Sequence, residues 1–237
     1  SQKFKSYQVK AEKNKINFKT KLSLQYNKKI SIKELKLSIK KSKNTSPGPD
    51  LIHYELLKHR PVSCLIILLD LLNKIWDGGD FPAGWSEAII IPIPKPGKDP
   101  KCDNNYRPIS LTSCLCKTME RIINDRLVYY LEKNNLLTAL QSGFRKSRST
   151  IDHLIRLETY IRQSFIKGEH CVGVFFDLEK ANDMTWKYGI MKDLYDFGLR
   201  GNLPIFIDKF LNPRTFQVRV GSTLSLDVIQ EQGVPQG

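Results

Sequence analysis

Two aspartates follow the most apolar stretch of the C-terminal half of the chain. Residues 171–178 read CVGVFFDL, so Asp177 stands at the end of the run, and Asp183 follows six positions later. A near-continuous apolar run is typical of a strand buried on both faces, and a carboxylate at its end would point into a cleft. Carboxylates suit Mg²⁺, which makes Asp177 a candidate metal ligand, although a helix N-cap explains it equally well. Asp183 is a second ligand or a turn residue, and the spacing favours the turn.

Two basic loops supply the opposite charge. The loop at residues 94–108 contains Lys95, Lys98, Lys101 and Arg107, and the loop at 141–150 contains Arg145, Lys146 and Arg148. Guanidinium groups bind phosphate oxygens in pairs, and Gly or Pro in a loop lets backbone amides approach a ligand. Together with Asp177, the loops indicate a site for a triphosphate and Mg²⁺. The alternative, that such loops are ordinary surface features of a basic protein, stays open on these residues alone.

The last residues, GVPQG at 233–237, combine two glycines with Pro235 and Gln236. Glycine allows backbone to approach a ligand closely, so the segment is a candidate contact loop. The simple end of a hairpin is the alternative interpretation, and the spacing does not exclude it.

Composition indicates a folded, basic protein. Of the 237 residues, 41% are hydrophobic, which is enough for a packed core. The net charge is +14. Residues 1–50 hold fourteen lysines against Glu12, Glu34 and Asp50, a basic arm that suits phosphate backbones or merely forms a solvated leader. Five cysteines without C-x-x-C spacing argue against a disulfide framework or zinc site. The longest apolar run, 62–69, is too short for a membrane span, and no signal peptide is recognisable.

Local signals place the elements that must position these residues. Ser31 and Glu34 form a capping box ahead of a helix, and SPGPD at 46–50 follows it as a rigid turn. Pro61 begins a helix through Trp76. Further helices are predicted near 113–133, from 151 onward, at 187–198 and at 204–211. Strands are predicted at 88–94, where prolines restrict the strand to an edge or an end, at 171–178, and in a hairpin of 215–220 with 226–230. Helices early and strands late predict an α+β fold.

Taken in order, these motifs resemble reverse transcriptases of non-LTR retrotransposons, particularly the Jockey-like group of LINE elements. The resemblance covers about residues 31–237 and depends on six ordered blocks: SPGPD, IIIPIPKPGKD, NNYRPISLTSCLCKTMERIINDRL, QSGFRKSRST, FFDLEKAND and QGVPQG. It implies a right-hand polymerase, with a basic N-terminal arm at 1–30, a fingers-like region at 31–170 and a partial palm at 171–237. The implied partners are an RNA template, a DNA primer and dNTPs, without a membrane, in the nucleus.

The resemblance also implies residue roles. Asp177 corresponds to the catalytic, first metal-binding carboxylate, with two Mg²⁺ (or Mn²⁺) ions expected in the full-length protein. The implied nucleotide-binding residues are Lys95, Lys98, Arg107, Asn182 and Gln236. The implied template-binding residues are Arg145, Lys146, Arg148, Gly233 and Pro235.

Two departures from the family pattern affect these expectations. The aromatic-x-Asp-Asp motif is not found in the chain, so we expect no polymerisation by this chain alone. We also expect the strand at 171–178 to lack a neighbouring strand and to promote aggregation. Asn182 stands where the family usually has Phe or Tyr, so weaker rejection of ribonucleotides or a decayed element is expected. The alternative function is a decayed or co-opted, non-catalytic nucleic-acid-binding module.

Overall fold

A computed structural model describes residues 15–236, so residues 1–14 of the predicted basic arm and Gly237 lie outside the described residues. Mixed α and β content agrees with the predicted α+β class at that level. The α-helices of the described part are α1 (Ile32–Lys41), α2 (Tyr54–Lys58), α3 (Val62–Trp76), α4 (Cys114–Lys133), α5 (Thr150–Lys167), α6 (Lys187–Asp196) and α7 (Asn202–Leu211). The strands are β1 (Glu87–Pro94), β2 (Tyr106–Leu111), β3 (Thr215–Val220), β4 (Thr223–Leu224) and β5 (Val228–Ile229).

The chain divides into two compact units. Unit 1 comprises the residues up to Val128 together with those from Lys180 onward, and unit 2 is Tyr129–Glu179. All five strands and most of the helices belong to unit 1. Within residues 15–236, no helix has both the length and the hydropathy needed to cross a membrane.

The N-terminal helices form where their local signals predict. The Ser31 hydroxyl accepts a hydrogen bond from the Glu34 amide at 3.3 Å, and the Glu34 carboxylate accepts one from the Ser31 amide at 2.8 Å. This capping box satisfies amides that the first turn of α1 leaves without partners. Leu35 and Ile39, one turn apart, are buried on the inner face of α1. The predicted helix after Pro61 is confirmed as α3, which ends at Trp76 just before a glycine pair.

The core of unit 1 lies between these helices, α4 and α7. Its fully buried side chains include Leu35, Leu72, Trp76, Met119 and Leu203. The Trp76 indole also donates a hydrogen bond to the Asn27 carbonyl at 3.1 Å, which ties the segment before α1 to the core. Asn27 belongs to the predicted arm of residues 1–30, and its side chain also bonds the backbones of Arg200 and Leu203, more than 170 residues later in the sequence.

The sheet of unit 1 has the order β2-β1-β3-β4, and β5 also pairs with β3. Strand β1 is antiparallel to β2 and parallel to β3, but β3 reaches only Glu87 to Ile90. The proline-containing end of β1 therefore has a single neighbour, as its prolines require. The predicted hairpin after β3 is confirmed, with its returning chain divided into β4 and β5.

Strand β2 corrects one prediction. Residues 94–108 were expected to form a loop, but residues 106–108 belong to this strand. Pro108 lies opposite Pro92 in the antiparallel register. Two opposed prolines fit a residue pair that exchanges no hydrogen bonds, since neither has an amide proton to donate. The prolines therefore interrupt the sequence pattern of a strand without disrupting the strand itself.

The predicted buried strand at 171–178 is wrong for this structure. The segment is assigned no strand, all of its residues are exposed, and Phe176 is 93% exposed. A strand is stable only when its backbone groups have partners. None of the described strands pairs with this segment, and the elements of unit 2 are helices and loops. The hydrophobic run is present, but the pairing that would bury it is not.

Candidate nucleotide and nucleic-acid site

The hairpin of β1 and β2 presents the first basic loop. The Lys95 amide donates to the Asn105 carbonyl at 2.8 Å, and its ammonium donates to the Asn104 carbonyl at 2.9 Å. The Lys95 ammonium therefore stabilises the loop by bonding to its backbone. Lys98, in the turn after Gly97, and Arg107, on β2, are both exposed. Lys101, in the same loop, is exposed as well, and the phosphate-binding role of these cations stays a prediction.

Lys180 joins this loop from a distant part of the sequence. Its ammonium donates to the Asn104 side-chain oxygen at 2.7 Å, across 76 residues of chain. Sequence reasoning did not identify Lys180, because an isolated lysine in a turn carries no recognisable pattern. The contact fixes the start of the segment 180–186 against the hairpin loop within unit 1.

The C-terminal loop is held against both the 180–186 segment and β2. The Gly233 amide donates to the Thr185 carbonyl, and the Val234 amide donates to the Asn182 carbonyl, each at 2.9 Å. The Ser110 amide donates to the Gln236 carbonyl at 2.5 Å. These bonds bring Asn182, predicted from one motif, and Gly233 and Gln236, predicted from another, to one corner of unit 1.

Gly233 is required at this corner for steric reasons. Its φ is +80°, and an added Cβ would lie 2.6 Å from the Asp183 carbonyl oxygen. A side chain would therefore separate the loop from the backbone that it contacts. Asp183, considered above as a metal ligand or turn residue, takes part in this corner through its backbone.

Two residues with buried cationic side chains contact the start of the same loop, Lys187 through its ammonium and Arg214 through its backbone carbonyl. The Lys187 ammonium donates to the Gln230 carbonyl at 2.6 Å, and the Gln230 amide donates to the Arg214 carbonyl at 2.9 Å. Burial lowers the pKa of Lys187, and the nearby Arg214 guanidinium lowers it further. Burial also lowers the pKa of Arg214, which Cys116 and Glu120 partly oppose. Neither residue was predicted as part of the site, since burial of a single lysine or arginine leaves no sequence signal.

The second basic loop, in unit 2, is organised around Arg145. Its guanidinium binds both carboxylate oxygens of Glu132, at 2.8 and 2.5 Å, and also donates to the Thr138 carbonyl at 2.7 Å. The hydrogen bond from Arg145 lowers the pKa of Glu132. Arg145 thus holds the loop, while Lys146 and Arg148 have exposed side chains. The template role assigned to the three residues stays a prediction.

Asp177 lies on the exposed segment of unit 2, whereas the residues predicted to bind the nucleotide belong to unit 1. Within residues 15–236, no three His, Cys, Asp or Glu side chains are grouped in a way that would hold a metal ion. Asp177 supplies the hard oxygen that Mg²⁺ prefers, but one carboxylate does not hold two divalent ions. The described donor set therefore does not fit a two-metal centre.

The chain is similar to known polymerases along most of its length. The family model for "Reverse transcriptase (RNA-dependent DNA polymerase)" matches residues 93–237. A probable RNA-directed DNA polymerase from transposon BS of Drosophila melanogaster is 36% identical over 214 residues, which are 89% of this chain and 23% of that protein.

Two further relatives extend this similarity. The RNA-directed DNA polymerase from mobile element jockey of Drosophila melanogaster is 34% identical over 85% of this chain and 22% of its own length. The Pol polyprotein of the type-1 retrotransposable element R2 of Popillia japonica is 27% identical over 88% of this chain and 28% of its own length. The chain thus spans about a quarter of these relatives. Because the family model covers more than half of the chain, and the expected resemblance is confirmed by these relatives, the chain belongs to the reverse transcriptase family of non-LTR retrotransposons.

Proposed function

We propose that this chain binds the incoming dNTP and part of the template in an RNA-directed DNA polymerase. The observation that carries the proposal is the match of the reverse transcriptase family over residues 93–237, which includes the basic hairpin loop and the C-terminal loop. The bond between Ser110 and Gln236 joins β2 to that C-terminal loop. In this proposal residues 31–170 are the fingers, residues 171–237 part of the palm, and residues 1–30 a basic arm.

The proposed residue roles follow from exposure and charge. Lys98 and Arg107 bind the triphosphate, because both are exposed cations on the hairpin, while Lys95 holds the loop and adds positive charge. Asn182 and Gln236 contact the sugar and base of the nucleotide. The proposed template contacts are Lys146, Arg148, Gly233 and Pro235, with Arg145 fixing the loop that carries the first two.

Reverse transcriptases use divalent metal ions, and we propose Mg²⁺ or Mn²⁺ with Asp177 as one ligand. The residues of this chain bind and orient the nucleotide, which is the larger part of what a protein contributes to phosphoryl transfer. An RNA template and a DNA primer are the proposed partners, and the nucleus is the proposed location.

The proposal is tested by nucleotide binding. A fluorescent dTTP analogue is titrated into the chain with poly(rA)/oligo(dT) and Mg²⁺, and Arg107→Gln is compared with Arg219→Gln. Both arginines are exposed on strands of the same sheet, so the second variant controls for lost positive charge. We expect Arg107→Gln to weaken binding at least about tenfold, the size of one charge-assisted hydrogen bond, and Arg219→Gln to leave it unchanged. Equal effects of the two variants would contradict the assigned nucleotide site.

The second candidate is a non-catalytic nucleic-acid-binding module. The observation that favours it is Asn182, a small polar residue at a position where the family usually carries an aromatic ring. This candidate predicts that the chain binds poly(rA)/oligo(dT) with no saturable, Mg²⁺-dependent binding of the dTTP analogue. The same titration therefore separates the two functions.

A further inference from the structure

A groove in unit 1 is bounded by α1, which precedes the SPGPD turn in the sequence, and by α2 and α3, which follow it. Its volume is about 480 Å³. The lining consists of three aliphatic and four basic residues: Ile39, Val62, Leu65, Lys36, Lys40, Lys58 and Arg60. None of the roles proposed above uses this groove.

The floor of the groove is aliphatic and continues along α3. Ile39 and Leu65 are buried at its base, and Val62 is 51% exposed. Ile66, one turn after Val62 on the same side of α3, is 49% exposed and extends the apolar stripe. Contiguous exposed apolar side chains, unlike single ones, mark interaction surfaces on soluble proteins.

The rim carries only positive charge, since the lining contains no carboxylate. The Lys58 ammonium donates to the Asn44 side chain at 2.7 Å. Lys36, Lys40 and Arg60 form no ion pair within residues 15–236. The rim therefore attracts an anionic partner, and the floor requires that the partner also be apolar.

We propose that this groove binds an acidic amphipathic helix of a partner protein. Such a helix places apolar side chains at i and i+4 over the floor and carboxylates beside the lysines of the rim. Nucleic acid fits less well, because the lining has no aromatic ring for base stacking and a hydrated phosphate gains nothing from aliphatic contacts. Helix α3 has 15 residues, about 22 Å in length, which matches a partner helix of about four turns.

The test uses a fluorescein-labelled peptide of about four helical turns, built from Glu and Ala with Leu at i, i+4 spacing. Val62→Ser is compared with Ile67→Ser, which alters an exposed aliphatic residue of the same helix outside the groove (71% exposed). Lys36→Gln is compared with Lys74→Gln, an exposed lysine of α3 outside the groove. Saturable binding is expected, weakened at least about fivefold by Val62→Ser and by Lys36→Gln but unchanged by either control. Thermal unfolding verifies that each variant is folded.

Three outcomes would overturn the proposal. The first is a lack of saturable peptide binding by the unmodified chain. The second is equal binding of a peptide in which Ser replaces every Leu, which would show attraction by charge alone. The third is displacement of the peptide by an RNA oligonucleotide of equal charge whose own binding depends on Lys36 but not on Val62, which would identify a nucleic-acid surface. The proposal does not depend on the polymerase function, so failure of either leaves the other standing.

Discussion

At the scale of the residue, Arg126 connects several separate segments of unit 1. Its guanidinium donates to both Glu34 carboxylate oxygens at 2.8 and 3.0 Å and to the carbonyls of Lys28 and Lys29 at 2.6 and 3.1 Å. It also lies over the Trp76 ring, 5.4 Å from its centroid. Arg126 thus joins α4 to α1 and to the chain preceding α1, and its side chain is only 12% exposed.

Arg126→Lys is expected to lower the free energy of unfolding by about 2–3 kcal/mol, because an ammonium cannot reproduce the bidentate bond or reach all of these carbonyls. Urea unfolding monitored by tryptophan fluorescence measures the change. The matched control is Arg162→Lys, which alters an exposed pair with Glu158 and should cost less than about 0.5 kcal/mol. A loss for Arg126→Lys as small as that of the control would contradict the assigned role.

The ion pair of Arg126 with Glu34 should make the free energy of unfolding depend on pH. Burial alone would raise the pKa of Glu34, but hydrogen bonds from Arg126 and Ser31 outweigh it and hold the pKa below its ordinary value. Because the folded pKa is the lower one, this stabilisation is present above the unfolded value, about 4.3, and is lost as the pH falls through the folded value. The stability difference between the wild type and Glu34→Gln should therefore shrink from about pH 5 to pH 3.

Urea titrations at a series of pH values check this expectation. Asp70→Asn, which changes an exposed carboxylate on α3 with no partner in the described part of the chain, should run parallel to the wild type. A difference between wild type and Glu34→Gln that stays constant with pH would refute the assignment.

At the scale of the element, sequence signals for helix ends predicted the structure correctly, because they act within one turn of the chain. The signal for a buried strand did not, because a strand also needs a neighbouring strand to pair with. Ser31 caps α1 and Pro61 precedes α3, and both helices begin where those residues predict. The apolar run 171–178 has the composition of a buried strand, yet it lies exposed and unpaired. Strand β2 is the opposite case. Pro108 argued against a strand in the sequence, yet β2 pairs with β1 along its whole length.

The exposed segment makes a specific prediction for Phe176→Lys. Because Phe176 has almost no packing to lose, the free energy of unfolding should change by less than about 0.5 kcal/mol. Self-association should decrease, because the substitution places a charge in an unpaired apolar segment. Sedimentation velocity and urea unfolding measure the two effects. Phe206→Ala, at a buried ring of α7, is the control and should cost about 3–5 kcal/mol. A comparable loss for Phe176→Lys would show that the segment is packed.

At the scale of the whole molecule, the two units differ in how much they bury. Helix α4 buries six residues, including Met119, Ile122 and Ile123, whereas α5 in unit 2 buries none. Amides open by local unfolding when few buried contacts hold their helix. In unit 2, which carries Asp177 and the second basic loop, α5 therefore has few buried contacts to hold it, although the pair of Arg145 with Glu132 is partly buried.

Hydrogen exchange should reveal this difference. We expect the amides of α5 to exchange at least about 100-fold faster than those of residues 118–123, a gap of about 3 kcal/mol in opening free energy. Exchange followed by mass spectrometry resolves both helices in one experiment, so each serves as the reference for the other. Equal protection of the two helices would contradict this expectation, because it would mean that α5 is stabilised as strongly as α4 although it buries no residue.

The sequence by itself determined the described α-helices other than α2, the family and the identities of the charged loops, because caps, helical periodicity and ordered motifs act through residues close in the chain. Only the tertiary structure decided that Asn182, Gly233 and Gln236 meet, that Lys180 closes the hairpin loop, and that Arg126 holds α1. It also decided that 171–178 is no strand. Each of these outcomes depends on groups tens of residues apart finding or lacking a partner, and a hydrogen bond between distant residues leaves no periodic signal in either segment.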